Sequence, residues 1–242
     1  MMQRYLLHIM TLLLLAPAAR ADDRGILAHW TMDEVSDGIV RDATGRGHDA
    51  TFQAAGTAKP VLEPGIIGKA LRLREGEQAF LSVANFADLM PPKGLTAMAW
   101  IKPSARNKTY EILCSKGDKA GQPPWPGWRL RFHWTRAQFQ YGTADGKEPR
   151  VESASWLVPA GFWSHIAVVH DGTWMRLYIN GVEKAAAPAE GEIMPSKRGL
   201  IIGNYIGRKN AYAFDGLLDD VKVFGRALTA EEVFTEAVRG ME

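Results

Sequence analysis

The stretch from Trp163 to Gly181, W-S-H-I-A-V-V-H-D-G-T-W-M-R-L-Y-I-N-G, constrains the fold more than any other. It reads as two strands joined at Asp171-Gly172, a dipeptide suited to a type I′ hairpin turn because it tolerates the positive φ angles such a turn requires. Ile166 and Val168 fall on one face of the first strand, and Ala167 and Val169 on the other. In the second strand Met175, Leu177 and Ile179 alternate with Trp174, Arg176 and Tyr178. Apolar residues on both faces of one strand, beside an alternating partner, predict two sheets packed face to face. Asn180-Gly181 supplies a second turn signal.

The rest of the chain continues this pattern. Strand-like runs occur at 26–32, 50–52, 70–73, 79–83, 95–101, 112–115, 129–134, 138–141, 156–158, 200–202 and 216–224, separated by Gly- and Pro-rich turns. The periodicity changes only near the end, where Thr229-Ala-Glu-Glu232 has the form of a helix capping box and Leu228 and Val233 stand at hydrophobic-staple positions. The expectation is an all-β, two-sheet antiparallel jelly-roll sandwich with one short C-terminal helix.

The first 21 residues read as a secretory signal peptide. Arg4 gives a positive n-region, 6–15 a mainly apolar core, and Ala19-Arg20-Ala21 an A-x-A cleavage site. That core is too short for a membrane span. The expected product starts near Asp22, forms a single domain over 22–242, and is secreted or periplasmic. The chain has 29 Lys+Arg against 27 Asp+Glu, and loss of Arg4 and Arg20 leaves 27 against 27. A neutral balance without a basic run points away from nucleic acid as a partner. Cys114, the single cysteine, excludes an intrachain disulfide and reads as a small buried side chain.

Four segments in order, H-W-T-M-D-E with D-A-T-G-R-G-H-D, L-T-A-M-A-W-I-K-P, the Trp163–Gly181 hairpin, and F-D-G-L-L-D-D-V-K-V-F-G-R-A-L-T-A-E-E-V, resemble the laminin G-like jelly rolls of the concanavalin A-like lectin/glucanase superfamily. The resemblance runs from about Ile26 to Val238 and implies neighbouring first and last strands. It does not fix a function, since such domains include lectins, adhesion modules, hydrolases and structural proteins.

Period-two counting places Asp219 on a face with Leu217, Val221 and Val223. A carboxylate among apolar neighbours needs compensation by a cation or several N–H donors. Ca²⁺ suits oxygen ligands, and the resemblance implies a structural calcium joining the chain ends, carried here onto Asp33, Asp42 and Asp219. Backbone N–H donors are the alternative account of Asp219, and turn capping that of Asp33 and Asp42.

For ligand binding the candidates are Trp125, Trp128, Trp134 and Tyr141, whose rings can pack on the C–H face of a pyranose. Trp125, flanked by prolines, is expected to be exposed, while Trp30, Trp100, Trp163 and Trp174 are assigned to packing. His165 and His170 fall on opposite strand faces. No E-x-D-x-x-E, G-x-S-x-G or H-E-x-x-H motif occurs, and Glu111, Glu148 and Glu152 are isolated in sequence. The expectation is therefore a non-catalytic exported module that recognises a glycan or a protein surface. A structural envelope protein is the alternative, and a polysaccharide hydrolase with an unfamiliar acid pair ranks third.

Overall fold

The apolar runs at 95–103 and 216–224 become adjacent strands at the middle of one sheet. The computed structural model describes residues 24–91, 94–104, 108–115, 125–205 and 212–239, so the leader expected over 1–21 lies outside them. The first eight strands are β1 (Ile26–Trp30), β2 (Ile39–Val40), β3 (Ala50–Gln53), β4 (Val61–Pro64), β5 (Lys69–Leu73), β6 (Phe80–Val83), β7 (Leu95–Pro103) and β8 (Tyr110–Cys114). They are followed by β9 (Trp128–His133), β10 (Arg136–Tyr141), β11 (Arg150–Glu152), β12 (Ser164–His170), β13 (Trp174–Ile179), β14 (Val182–Pro188), β15 (Leu200–Ile202) and β16 (Gly216–Phe224). Helix α1 (Ala230–Arg239) ends the described chain.

One sheet runs β14-β13-β12-β7-β16-β5-β4, with β1 also paired to β16. The other runs β11-β10-β9-β8-β15-β6-β3-β2. Every pairing is antiparallel, and the inner faces bury one apolar core that includes Trp30, Leu71, Ile101, Trp128, Phe139, Ile166, Leu177 and Leu218. This is the two-sheet sandwich with one short helix that the alternation predicts.

The type I′ geometry sits elsewhere than expected. Asn180 and Gly181 both have positive φ, 51° and 75°, and join β13 to β14 as a two-residue turn. At the β12–β13 turn only Gly172 has positive φ. There the Asp171 carboxylate accepts the Thr173 and Trp174 N–H groups at 2.8 and 2.6 Å, so a side-chain cap shapes a longer loop. Trp174 is exposed rather than packed, beneath the Arg176 guanidinium. Cys114 is buried, as read from sequence.

Strand β16 divides its edge between two partners. Gly216–Leu218 pair with β5, and Val221–Phe224 pair with β1. A one-residue bulge separates these halves, and Asp220 takes φ 45° within it. The bulge defeats period-two counting, because Val221 and Val223 join the inner core while Asp219 does not. Asp219 is buried outside that core, level with Trp100.

Helix α1 covers the outer face of the first sheet over Met98, Ala167, Val169, Tyr178 and Phe224, with Leu228 and Val233 in the same cluster. The capping box forms: Thr229 Oγ1 accepts the Glu232 N–H at 3.2 Å, and Glu232 Oε2 accepts the Thr229 N–H at 2.7 Å. Glu232 also takes two Arg226 nitrogens, which with the cap holds its carboxyl down at about 2. A depressed carboxylate stabilises above its ordinary pKa and loses that contribution as pH falls through the folded value. Glu232→Gln is expected to lower stability by about 1 kcal/mol at neutral pH, with the gap closing near pH 2 in urea titrations.

Beneath the helix lies a buried charge network. Lys222 Nζ, 2 % exposed, donates to Asp220 Oδ2 and Glu236 Oε2, each at 2.7 Å. His29 Nε2 reaches Asp220 Oδ1 at 2.6 Å. Burial works against the Asp220 charge, but His29 and Lys222 outweigh it and hold the carboxyl well below its usual range. Adjacent His165 is buried, and burial with the Lys222 charge drops it to about 3, so it is neutral. His170 faces the opposite side of β12, in edge contact with Tyr141.

Candidate functional site

The outer face of β8–β11 carries an ordered polar array in which Glu111, Gln138 and Gln140 are buried and Arg129 and Arg131 keep a small exposed fraction. In β9, Trp128, Leu130 and Phe132 point into the core, which turns Arg129, Arg131 and His133 outward. Strand β10 likewise buries Ala137, Phe139 and Tyr141 and turns Arg136, Gln138 and Gln140 outward. Antiparallel register then lines these residues up across strands. One row is Glu111, Arg131, Gln138 and Glu152; the next is Cys114, Arg129, Gln140 and Arg150.

Hydrogen bonds fix the rows. Gln140 Oε1 accepts Arg129 Nε at 3.0 Å and Nη2 at 2.5 Å. Gln138 Oε1 accepts Arg131 Nε at 2.6 Å, and its amide donates to Glu152. Glu111, fully buried, places Oε1 3.7 Å from Arg129 Nη1 and 3.8 Å from Arg131 Nη1. Burial, reinforced by neighbouring Arg129, lowers the Arg131 pKa against the opposing pull of Glu111. Two guanidiniums are thus oriented by amides and held at the surface of a partly dry face. Burial and the Arg131 charge also lower His133.

At the β9–β10 tip the chain exposes aromatic rings. Trp134 is 63 % and Trp156 57 % exposed, and both have positive φ, 60° and 69°. That region is unfavourable for a bulky side chain, and such strain gathers at binding sites. The Trp156 N–H donates to Thr135 O at 2.9 Å, tying the two loops together.

The predicted aromatic set is split by the fold. Trp134 is exposed at the tip. Trp128 and Tyr141 are fully buried, a correction to their reading as ligand-stacking rings. Their polar atoms are used inside: Trp128 Nε1 donates to Leu89 O, and Tyr141 OH meets Glu190 and Gly191 carbonyls. Trp125 is half-buried at the opposite end of the hairpin, its backbone pressed against Gly142. Sequence reasoning missed Arg129, Arg131, Gln138 and Gln140, although the alternation W-R-L-R-F-H and Q-F-Q-Y carried the signal.

The three aspartates separate likewise. Asp219 Oδ2 accepts the Ile66 and Ile67 N–H groups at 2.8 and 3.0 Å, and Asp33 Oδ1 accepts Lys69 N–H at 2.8 Å. Both serve the β4–β5 turn, whose Ile66 and Ile67 N–H groups lie between the two strands. Glycine at 65 and 68 leaves room for the two carboxylates. Asp42 closes a different loop, accepting His29 N–H, Thr44 N–H and hydroxyl, and His48 N–H. The expected three-aspartate ligand set is therefore not assembled: among the described residues no group of three or more His, Cys, Asp or Glu could hold a metal. Asp219 Oδ1 is nevertheless buried without a hydrogen-bond partner, and burial raises this carboxyl to about 7. That one atom has the character of a cation ligand.

Glu111 and Glu152, isolated in sequence, share a row but stand three strand spacings apart, about 14 Å. Paired glycosidase carboxylates lie about 5–10 Å apart.

Two antiparallel sheets packed face to face, with one short terminal helix, define a jelly-roll sandwich. A laminin G-type family model, described as concanavalin A-like lectin/glucanases superfamily, matches residues 75–234, and the chain belongs to that superfamily. No curated protein matches the sequence significantly. Among solved structures, domain 4 of AbnA, an extracellular arabinanase from Geobacillus stearothermophilus in complex with arabinotriose, is 21 % identical with TM-score 0.68, covering 88 % of this chain and 98 % of that one. The binding domain of Paraclostridial Mosquitocidal Protein 1 is 16 % identical with TM-score 0.69, covering 89 % of this chain and 52 % of its own. The ligand binding domain of botulinum neurotoxin serotype D, in complex with N-acetylneuraminic acid, is 15 % identical with TM-score 0.63, covering 88 % and 50 %. The chain spans about half the length of these two toxin domains. None of the helices among the described residues is long and apolar enough to cross a membrane.

Proposed function

We propose that this protein is a non-catalytic, exported carbohydrate-recognition module, secreted or periplasmic, that binds glycan along the outer face of β8–β11. The observation that carries the reading is the pair of cross-strand rows in which glutamines orient Arg129 and Arg131. Planar donors with fixed direction suit sugar hydroxyls and ring substituents. The exposed Trp134 and Trp156 rings at the tip offer apolar faces for a pyranose. Solved relatives of the same fold in complex with arabinotriose and N-acetylneuraminic acid support this class of ligand.

Affinity electrophoresis through gels containing plant, bacterial and animal polysaccharides tests it. Retardation by at least one polymer is expected, with loss on Arg129→Ala/Arg131→Ala; migration unchanged on every polymer would overturn it.

A structural calcium forms the second part of the reading. Asp219 Oδ1, with Asp33 and backbone carbonyls, would hold the ion, and Asp42 is left to its own loop. Calcium at about a hundredfold over its Kd would stabilise by about 2.7 kcal/mol. Chelation is expected to lower the melting temperature of the parent protein and leave Asp219→Ala unmoved. An unchanged parent melting curve removes the ion from the account.

A further inference from the structure

We propose that the glycan held on β8–β11 is an acidic one, its carboxylate received by the Arg129–Arg131 pair. The inference rests on the carbohydrate-binding reading and specifies the ligand class. Strands β8–β11 contain four arginines, Arg129, Arg131, Arg136 and Arg150, and two glutamates, Glu111 and Glu152. Register puts all six on the outer face, so these four strands contribute +2 to it, in a chain that is nearly balanced overall.

The internal partners spend this charge unevenly. Glu152 is shared by Arg136 at 3.5 Å and Arg150 at 3.9 Å. Glu111 stands between Arg129 and Arg131 at ion-pair rather than hydrogen-bond distance. The closest bonds to both guanidiniums come from neutral amides, Gln140 and Gln138. A glutamine oxygen fixes the direction of a guanidinium without neutralising it, so the charge stays available to a ligand.

Arg131 commits Nε to Gln138 and Nη1 toward Glu111, and among the described residues its Nη2 donates to no protein group. The two side chains keep 14 % and 11 % exposure, enough for approach yet dry enough to strengthen a charge-assisted bond. A sugar carboxylate on this pair would complete the row that starts at Glu111. Its pyranose ring carries hydroxyls that Glu152, 25 % exposed, can meet, while the buried Gln138 and Gln140 orient the guanidiniums, and the chain of sugars can continue toward Trp134. A neutral polymer would bring no charge to either cation.

The test uses the intact protein and three soluble polymers: polygalacturonate, the same polymer fully methyl-esterified, and polyglutamate as a non-sugar polyanion. Calorimetry at low salt is expected to give binding to polygalacturonate at least about tenfold tighter than to the ester. Polyglutamate should bind no better than the ester. Arg131→Gln and Arg129→Gln should each erase the preference for the free acid. The acid–ester comparison involves no substitution, so it decides the matter even if a variant fails to fold. Equal affinity for acid and ester overturns the acidic ligand while leaving glycan binding intact. Tight binding of polyglutamate overturns it in favour of general polyanion attraction, as does a preference that survives in folded Arg131→Gln. No interaction with any polysaccharide, here or in the gel panel, defeats both readings together.

Discussion

Replacing Lys222 by Met is expected to destabilise the protein by about 3–5 kcal/mol, because removal of one partner from a buried ion pair leaves the other uncompensated. The ammonium lies 2.7 Å from both Asp220 and Glu236 and is 2 % exposed. Without it two carboxylates face each other between β16 and helix α1, far from solvent. His29 bonds only the far oxygen of Asp220, and Arg239 reaches only Glu236 Oε1 at 3.2 Å, so neither replaces the bridge. Urea unfolding at neutral pH measures the loss. Adding Asp220→Asn and Glu236→Gln to Lys222→Met should recover most of it, since asparagine tolerates the positive φ at 220 and neither amide carries charge. Asp220 has a depressed pKa in the parent, so its contribution is present above the ordinary carboxylate range and is lost in acid. The gap between parent and variant therefore narrows as pH falls. A loss below about 1 kcal/mol would show that the network adds little beyond exposed ion pairs.

The second large effect separates two tryptophans six residues apart. Trp128→Ala empties a fully buried site beside Phe139 and strands the Leu89 carbonyl, and is expected to cost about 3–5 kcal/mol. Trp134→Ala removes a ring that is 63 % exposed and should change stability by less than about 0.5 kcal/mol. Under the proposed function, retention on a bound polysaccharide behaves in the opposite way. It should weaken in the stable Trp134→Ala protein and persist in whatever fraction of Trp128→Ala remains folded. Thermal melts and gel retardation on the same samples resolve the two. A Trp134→Ala variant that binds as the parent does would move the aromatic contact away from the hairpin tip.

The strands that sequence pattern reveals and those it hides differ in position. β7, β12 and β16 lie inside a sheet, and their apolar runs are plain in the chain. The four strands at the ends of the two sheet paths, β14, β4, β11 and β2, are absent from the sequence reading. An edge strand is half solvated, and charged or polar residues there guard against further pairing. V-E-K-A-A-A-P in β14, exposed along most of its length, has no alternation to find. The turn between β12 and β13 failed for a related reason: Asp-Gly fits several turn types, and the side-chain bonds of Asp171 to Thr173 and Trp174 selected a longer one.

By itself the sequence determined the sandwich, the terminal helix with its reciprocal cap, and the placing of His165 and His170 on opposite strand faces. These follow from local periodicity and from short-range capping, which the order of residues encodes directly. Tertiary structure alone decided where the chemistry lies. Trp128 and Trp134 are the same residue type six positions apart and of the same parity. What separates them is that Trp128 lies in β9 facing the core while Trp134 lies in the β9–β10 turn with positive φ. The bulge at Asp220 shifts the parity of β16, separating Asp219 from Val221 and Val223 and bringing Asp219 to the turn that Asp33 also caps. Glu111, Arg131, Gln138 and Glu152 are spread over 42 positions of sequence and become one row only because four antiparallel strands align them. Charge proximity depends on distance through space, which composition and spacing along the chain do not contain.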